Sequence, residues 1–403
     1  MRFRRTLSAI LSLFALVPLT GCWDRTELNE ISIVVGLGID RIGDTYHISV
    51  QIVNPAEVTP KSNTGSRLAP VVTFEQEGKT LPDAIGRMSV LSPRRLQFSH
   101  LRMVVIGEQT ARQGLRKPLD YLSRYAEMRN DFYLVVAKNR PASDILKVYS
   151  PMDPIPANNL YTKLQNSDKQ WAATSMMTLN ELLLDMETEG ASAFMTGIQI
   201  AGGGSEAAGA GAQQQIAPSR NLEYSGTAMF DKDRLVGWLD EQGTKAINYV
   251  TDSVKWTVGY LRCPDNGRAS VELFNTHAKV KVRGSNKDDL SIHAYVTIEQ
   301  DISDIECNLD MTKESTVKWF DQATNKKVSG IIRTTVRDSK KRLGIDVFGF
   351  GRQVHRQHPK IWHQIKDWNE TYKDVPVYVH VDTTTRRIGT TQQSVTHQTS
   401  KGG

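Results

Sequence analysis

Downstream of residue 22 the apolar residues never gather into a long run. The longest clean stretch, residues 31–39, has nine residues and already includes Ser32, Gly36 and Gly38. A helix crossing a bilayer needs about 18–20 apolar residues in succession, so this part of the chain is expected not to span a membrane. Short β-branched runs punctuated by Gly, Asp and Pro are instead the pattern of buried strands. Residues 31–40 and 45–54 read as two strands joined at Gly43-Asp44, and 71–77 as a third after a polar loop over 61–70. Thr80 can cap a helix running to about residue 91, with Pro82 in its first turn, where proline is tolerated. A strand over 101–107, a helix over 110–128 with Leu115, Leu119, Leu122 and Tyr125/Ala126 on one face, and a strand over 132–137 follow. Pro151 to Pro156 marks a break. Residues 158–188 read as helical and 193–200 as a strand.

The strand-rich pattern returns at 223–230 and 234–239, then a short helix over 243–251 and strands over 271–274, 278–282 and 292–300. Residues 312–342 read as one long helix whose apolar stripe is Val317, Phe320, Ala323/Thr324, Val328 and Ile331/Ile332. A helix over 363–372 precedes a last strand, 375–382, alternating at Val375, Val377, Val379 and Val381. With 403 residues, 39% of them hydrophobic, there is material for two or three domains. The expected fold class is α+β / α/β, multi-domain, each domain a central β-sheet with helices on one or both faces. An N-terminal domain is expected over 22–200, with a point of subdivision near 150, and a C-terminal domain over 220–389. Between them residues 201–219 hold five glycines and one charge, Glu206. Such a segment buries too little to order itself. It fits a domain linker and a loop between paired strands equally. Residues 390–403 read as a disordered tail.

The first 21 residues stand apart. Arg2, Arg4 and Arg5 precede an apolar stretch over 7–19, too short to span and of the length of a secretory signal. It ends in Leu19-Thr20-Gly21-Cys22, which resembles the lipobox of bacterial lipoproteins. On that reading residues 1–21 are removed, the Cys22 thiol takes a diacylglycerol and the new N-terminus is acylated. Two or more chains anchor stably where one does not. Trp23 next to the anchor would then sit either at the headgroup level or on its own domain.

The formal charge of +6 first suggests nucleic acid, but three of those charges leave with the leader. Residues 22–219 hold 19 Lys+Arg against 21 Asp+Glu, and 220–403 hold 28 against 23. That is a mild bias toward a solvated basic surface, and an exported chain has no nucleic-acid partner. Of the three cysteines, Cys22 goes to lipid. Cys263 and Cys307 read as unpaired thiols packed as small hydrophobes, with a disulfide as the alternative that export permits.

Searching for chemistry returns little. Gly78-Lys79-Thr80 resembles the end of a phosphate-binding loop, but the glycine needed five residues earlier is Thr73. Gly36-Leu37-Gly38 and Gly349-Phe350-Gly351 lack a third glycine. His355, His358 and His363 form the one histidine cluster, yet Pro359 keeps them off a common helical face and Arg356 and Lys360 repel a cation. No catalytic residue, cofactor site or metal site is assigned.

Cys22-Trp23-Asp24-Arg25-Thr26-Glu27, followed by Ile33-Val34-Val35-Gly36-Leu37-Gly38-Ile39-Asp40, resembles the Ger(x)C family, the lipoprotein C subunits of nutrient germinant receptors in bacterial spores. Further matches are Gly226-Thr227-Ala228-Met229-Phe230, Leu235-Val236-Gly237-Trp238-Leu239, and Asp346-Val347-Phe348-Gly349-Phe350-Gly351 with Pro359 and Trp362. Their order and spacing together carry the likeness. It implies a non-enzymatic subunit of α/β domains, lipid-anchored to the outer face of the spore inner membrane. The implied partners are polytopic A and B receptor subunits. Residue by residue only Cys22 transfers, and the likeness leaves nutrient contact open. A tethered subunit is expected to offer a protein-binding surface rather than a deep cleft. The competing readings are a solute-binding lipoprotein of a transporter, whose two halves would close on a ligand, and behind it an exported hydrolase.

Overall fold

The hairpin expected first is there: β1 (Ile31–Ile42) and β2 (Thr45–Val53) pair antiparallel, with Gly43 at φ +59° in the turn. In this computed structural model residues 27, 29–54, 70–149, 153, 155–202 and 221–388 are described. The remaining strands of the first half are β3 (Val71–Gly78), β4 (Arg95–Gln97), β5 (Met103–Gly107), β6 (Tyr133–Ala137), β7 (Phe194–Ala201), β8 (Asn221–Asp231) and β9 (Arg234–Leu239). They form one sheet in the order β3-β2-β1-β5-β6-β7-β8-β9, with β4 paired to the start of β1. The centre, β1-β5-β6-β7, is parallel and both flanks are antiparallel.

A parallel centre needs cover on both faces. On one side lie α1 (Leu81–Arg87), α2 (Glu108–Gln113), α3 (Arg116–Arg124) and, further along the chain, a helix over Leu179–Glu187. The other side carries α4 (Ala142–Leu146) and α5 (Pro156–Gln170), which makes the Leu179–Glu187 helix α6. Leu37 and Ile39 point to the first face; Gly36 and Gly38 face α4 and α5. A Cβ on Gly36 would meet Ala157 Cβ at 3.0 Å, and one on Gly38 would meet Ser49 Oγ at 2.2 Å. The Gly-x-Gly of β1 is therefore a helix-packing device. Asp40, buried at the end of the same strand, accepts from the amides of Ala142 (2.9 Å) and Ser143 (3.2 Å) and so fixes the start of α4. Burial raises its carboxyl above the ordinary value, against those two hydrogen bonds.

The second half is a four-stranded sheet, β10-β11-β12-β13: β10 (Trp256–Arg262), β11 (Arg268–Arg283), β12 (Ser291–Ile305) and β13 (Val377–Arg387). α7 (Glu241–Val250) leads into it. α8 (Glu314–Asp338) covers one face, and α9 (Phe350–Gln357), α10 (Pro359–Trp362) and α11 (Trp368–Asp374) close the core. The opposite face stays open to solvent, where His293 stacks on Tyr378 at 4.8 Å and Tyr295 on His380 at 4.7 Å.

Several boundaries differ from the sequence reading, each for a tertiary reason. The helix expected over 110–128 is broken at Gly114 (φ +120°), where the amides of Leu115 and Arg116 turn to Asp233 instead. The one expected over 158–188 is two, α5 and α6, because the carbonyls of Ala172 and Thr174 accept from the Asn248 amide of α7. The strands expected at 271–274 and 278–282 are one, β11, bulged between Phe274 and His277. The helix expected over 363–372 begins only at Trp368, where Asp367 caps α11. Strands on either side of 150 belong to one sheet. The strands flanking the glycine-rich segment, β7 and β8, are antiparallel neighbours, so it joins two strands of one sheet. β8 and β9 complete that sheet, so the first sheet runs past 220 to Leu239.

Cys263 and Cys307 are joined as a disulfide with Cα atoms 6.3 Å apart, which corrects the preference for free thiols. The reason is register. β10 ends opposite the start of β11 and β12 ends opposite the same residues, so both cysteines leave the sheet at one end.

Candidate functional site

The two halves meet along a continuous seam, and α7 is its spine. Residues 243–250 of this helix are all buried, between β8 of the first sheet and α8 and β11 of the second domain. Polar groups in it are paired across the seam. Thr244 shares a 2.8 Å hydrogen bond with Thr227, and Asn248 donates to the carbonyls of Ala172 (2.9 Å) and Thr174 (3.0 Å) and accepts from Ser175 (2.9 Å). Buried polar groups left unpaired are costly, so these bonds fix one relative placement of the halves.

A second cluster builds on Asp346, whose side chain is fully buried. Its carboxylate accepts from the amides of Phe348 (3.1 Å) and Gly351 (2.8 Å) and from the Trp368 indole (2.9 Å). Burial pushes this carboxyl up to about 6, against those hydrogen bonds. The loop it holds puts Gly349 at φ +69° and seats Gly351 on Gly190 of the first domain. There the Arg352 amide donates to the Gly190 carbonyl at 3.0 Å, Arg352 pairs with Asp185 at 2.9 Å, and the Trp362 indole donates to Glu189 at 2.8 Å. At the far end of the seam Trp238 donates its indole N–H to Glu108 (3.1 Å), while its carbonyl accepts from Arg342 (2.9 Å). Burial pushes the Glu108 carboxyl up, but the Asn139 amide, the Trp238 indole and Arg112 outweigh it and hold it below the usual value.

Beside this end the domains part into a cleft of about 1200 Å³. Trp238 comes from β9 and Lys138 from the turn after β6, Gln242 and Gly243 from the start of α7, Tyr260 to Arg262 from β10, and Trp319 to Arg342 from α8 and the turn that follows it. A recess of about 310 Å³ continues inward, sharing Tyr260, Leu261, Lys327 and Ile331 with the cleft. Lys245, buried at its side, lies 3.6 Å from the centre of the Trp171 ring and pairs with Glu241 at 3.3 Å. Lys327 lies 3.9 Å from the centre of the Tyr260 ring and donates to the Tyr260 carbonyl.

Cys22 and Trp23 lie outside the described residues, as does the tail from 389. The three histidines do not come together. The His355 ring stacks on Trp362 at 5.2 Å, the His358 ring bonds the Val282 carbonyl at 3.1 Å, and His363 ends α10. Among the described residues the group with metal-ligand atoms in mutual reach is Cys263, Asp265 and Cys307, where the disulfide occupies both sulfurs. Thr80 caps α1 by accepting from Asp83 at 3.2 Å, which accounts for Gly78-Lys79-Thr80. A cleft was not expected. Lys245, Lys327, Tyr260 and Trp171 carry no motif, and the signal that could have found the first of them is Glu241 one turn before Lys245 in a helix with an otherwise uncharged interior.

A two-domain protein, each domain a sheet with helices and the pair locked through one buried helix, is the class defined by this geometry. Two family models match in chain order: a spore germination protein N-terminal domain over residues 24–200 and a spore germination B3/GerAC-like C-terminal domain over 225–389. The chain belongs to this spore germination family. Both models leave the glycine-rich segment unmatched, and the second begins inside β8, within the first sheet. In Bacillus subtilis (strain 168), spore germination protein KC is 29% identical over 98% of both chains. Spore germination protein B3 of the same organism is 21% identical over 90% of this chain and 92% of its own. The solved structure of the GerBC protein has the same fold, with a TM-score of 0.53 at 17% identity over 87% of this chain and 96% of that one.

Proposed function

We propose that the chain is the lipid-anchored C subunit of a spore nutrient germinant receptor, acting with polytopic A and B subunits at the outer face of the spore inner membrane and catalysing no reaction itself. The observation that carries this reading is the match of two successive spore germination domains across both halves of the chain. Two further features support it. The leader ends in Leu19-Thr20-Gly21-Cys22, and no helix among the described residues is long and apolar enough to cross a membrane. Cys22 is then the attachment point, and a tether raises the effective concentration of a folded domain beside membrane partners without new contacts. The solute-binding alternative needs two lobes that close on a hinge, whereas α7 is buried by both halves at once.

The test is dipicolinate release from spores lacking this protein, exposed to single nutrients and to a non-nutrient trigger. Loss of response to some nutrients with the control intact supports the receptor reading; an unchanged response to every nutrient removes it. Cys22→Ala is expected to leave an uncleaved, unlipidated precursor, and normal processing of that variant would refute the anchor.

A further inference from the structure

We infer that the recess between the domains is a binding site for a small organic anion, a carboxylate carried on a flat apolar body, with Lys327 as the group that receives the charge. The inference concerns a site that the receptor reading does not use, and it stands or falls separately from it.

The first observation is charge. Lys138, Lys245, Arg262, Lys326, Lys327 and Arg342 line the cleft and its recess. The acids there are Asp240, Glu241 and Asp338, and each is already engaged. Asp240 caps α7 by accepting from Gly243 at 2.8 Å, Glu241 pairs with Lys245, and Asp338 pairs with Arg337 at 3.4 Å. Lys327 has no carboxylate in ion-pair reach among the described residues. Its ammonium rests on the Tyr260 ring and carbonyl alone. Burial lowers its pKa, and the positive charge of Lys245 lowers it further. Two ammonium groups in a half-dry recess, with one carboxylate, Glu241, paired to Lys245 alone, leave a positive potential that a second anion would neutralise.

The second observation is shape. The recess is closed at its inner end by apolar side chains of the second core, Val271, Leu273 and Val328, and walled by the rings of Trp171 and Tyr260. Both rings are otherwise exposed for their size, Tyr260 at 58% and Trp171 at 41%. Its volume of about 310 Å³ lies at the lower end of the roughly 300–1,000 Å³ range of small-molecule pockets, and interdomain seams are where such pockets concentrate. An apolar body between two rings, with its carboxylate toward Lys327, satisfies both features. A charge-assisted hydrogen bond in this setting is stronger than a neutral one. A single ring with one carboxylate is expected to bind weakly, in the millimolar range.

The test is calorimetric titration of the purified full-length chain, in a non-ionic detergent, with benzoate and with benzamide. The two probes have nearly the same shape and differ in charge. Benzoate is expected to bind saturably and benzamide about tenfold more weakly. Lys327→Gln is expected to remove about tenfold of the benzoate affinity and leave benzamide unchanged, while Lys327→Arg restores most of it. Lys281→Gln, on the open face of the second sheet, is expected to change nothing. Lys245→Met, with its denaturation midpoint measured alongside, gives a second reading of the same potential and is expected to weaken benzoate. Absence of saturable benzoate binding, equal binding of the two probes, or an unchanged affinity in a folded Lys327→Gln chain would each overturn the proposal.

Discussion

The substitution Asp346→Asn tests the seam, because the reasoning fixes a sign as well as a size. The carboxyl is fully buried, accepts three hydrogen bonds and has no ion-pair partner among the described residues. Its pKa of about 6 in the folded chain lies above the ordinary 3.8. The folded state therefore binds the proton more tightly than the unfolded state. Stability from this group is fully present below pH 3.8 and is lost as the pH rises through about 6. The whole span corresponds to about 3 kcal/mol. Between pH 7.5 and 4.5, linkage gives about 2 kcal/mol of it. The amide introduced by Asp346→Asn does not titrate. It keeps one oxygen, which can take the place of Oδ2 and hold Gly351 and Trp368, while its NH₂ faces the Phe348 amide. The Phe348 N–H then loses its acceptor and the new NH₂ faces a donor, each buried group left unsatisfied costing about 1–3 kcal/mol. Urea unfolding followed by tryptophan fluorescence gives the stability of both chains at each pH. The wild-type chain should exceed the variant at pH 4.5 by about 2 kcal/mol more than at pH 7.5, because every other titrating group cancels in the difference. A gap that stays constant, or that narrows on acidification, would mean that the three hydrogen bonds outweigh burial, and would refute the reasoning.

Four further outcomes are expected. Gly190→Ala should destabilise by roughly 2–4 kcal/mol in thermal or urea unfolding, since Gly190 has φ +73° and its new Cβ would fall 2.4 Å from the Gly351 carbonyl carbon. A Cys263→Ser/Cys307→Ser chain, with the two positions 44 residues apart, should lose about 4 kcal/mol on the chain-entropy estimate. Reductant should lower the unfolding midpoint of the wild type to that of the variant, and no lower. Unfolded without reductant, the wild-type chain should show no reactive thiol from Cys263 or Cys307; two would remove the disulfide.

What the sequence made legible was local. Gly43-Asp44 at a turn, Thr80 before Pro82, the β-branched run that marks β1 and the alternation that marks β13 are each decided within a few residues, and the structure has them. What it hid was decided by distant partners. No window around 110–128 says that two amides will turn to Asp233. Nothing near residue 172 announces Asn248. The strand over Trp256–Arg262 went unread because its apolar alternation is weak: Gly259, Tyr260 and Arg262 break it, and its pairing with β11 supplies what the pattern lacks. The extent of the first sheet was hidden for the same reason. Composition marks the glycine-rich segment as a break, but β8 and β9 return to the sheet that β7 belongs to. The cleft was invisible altogether, since its walls come from residues 138, 238–262 and 319–342.

The short motifs behind the family resemblance acquire a common physical meaning in three dimensions. Gly226 takes φ +70° directly under the Leu239 carbonyl. Gly237 leaves room for Leu343 of the second domain, Trp238 ties Glu108 to Arg342, Asp346 organises the loop that seats Gly351 on Gly190, and Trp362 reaches Glu189. All lie on or against the seam, and none lies among the groups facing the inner recess. They are residues that bring two backbones close or satisfy a buried polar atom, which is what a fixed interdomain angle requires. A seam held this way forms the cleft before any ligand arrives. Occupying it would cost little reorganisation, and an occupant would act by its charge and contacts at Lys327, not by drawing two lobes together. Because α7 is buried by both halves at once, moving one half against the other would cost the hydrogen bonds of Thr244 and Asn248 and leave those polar groups unpaired.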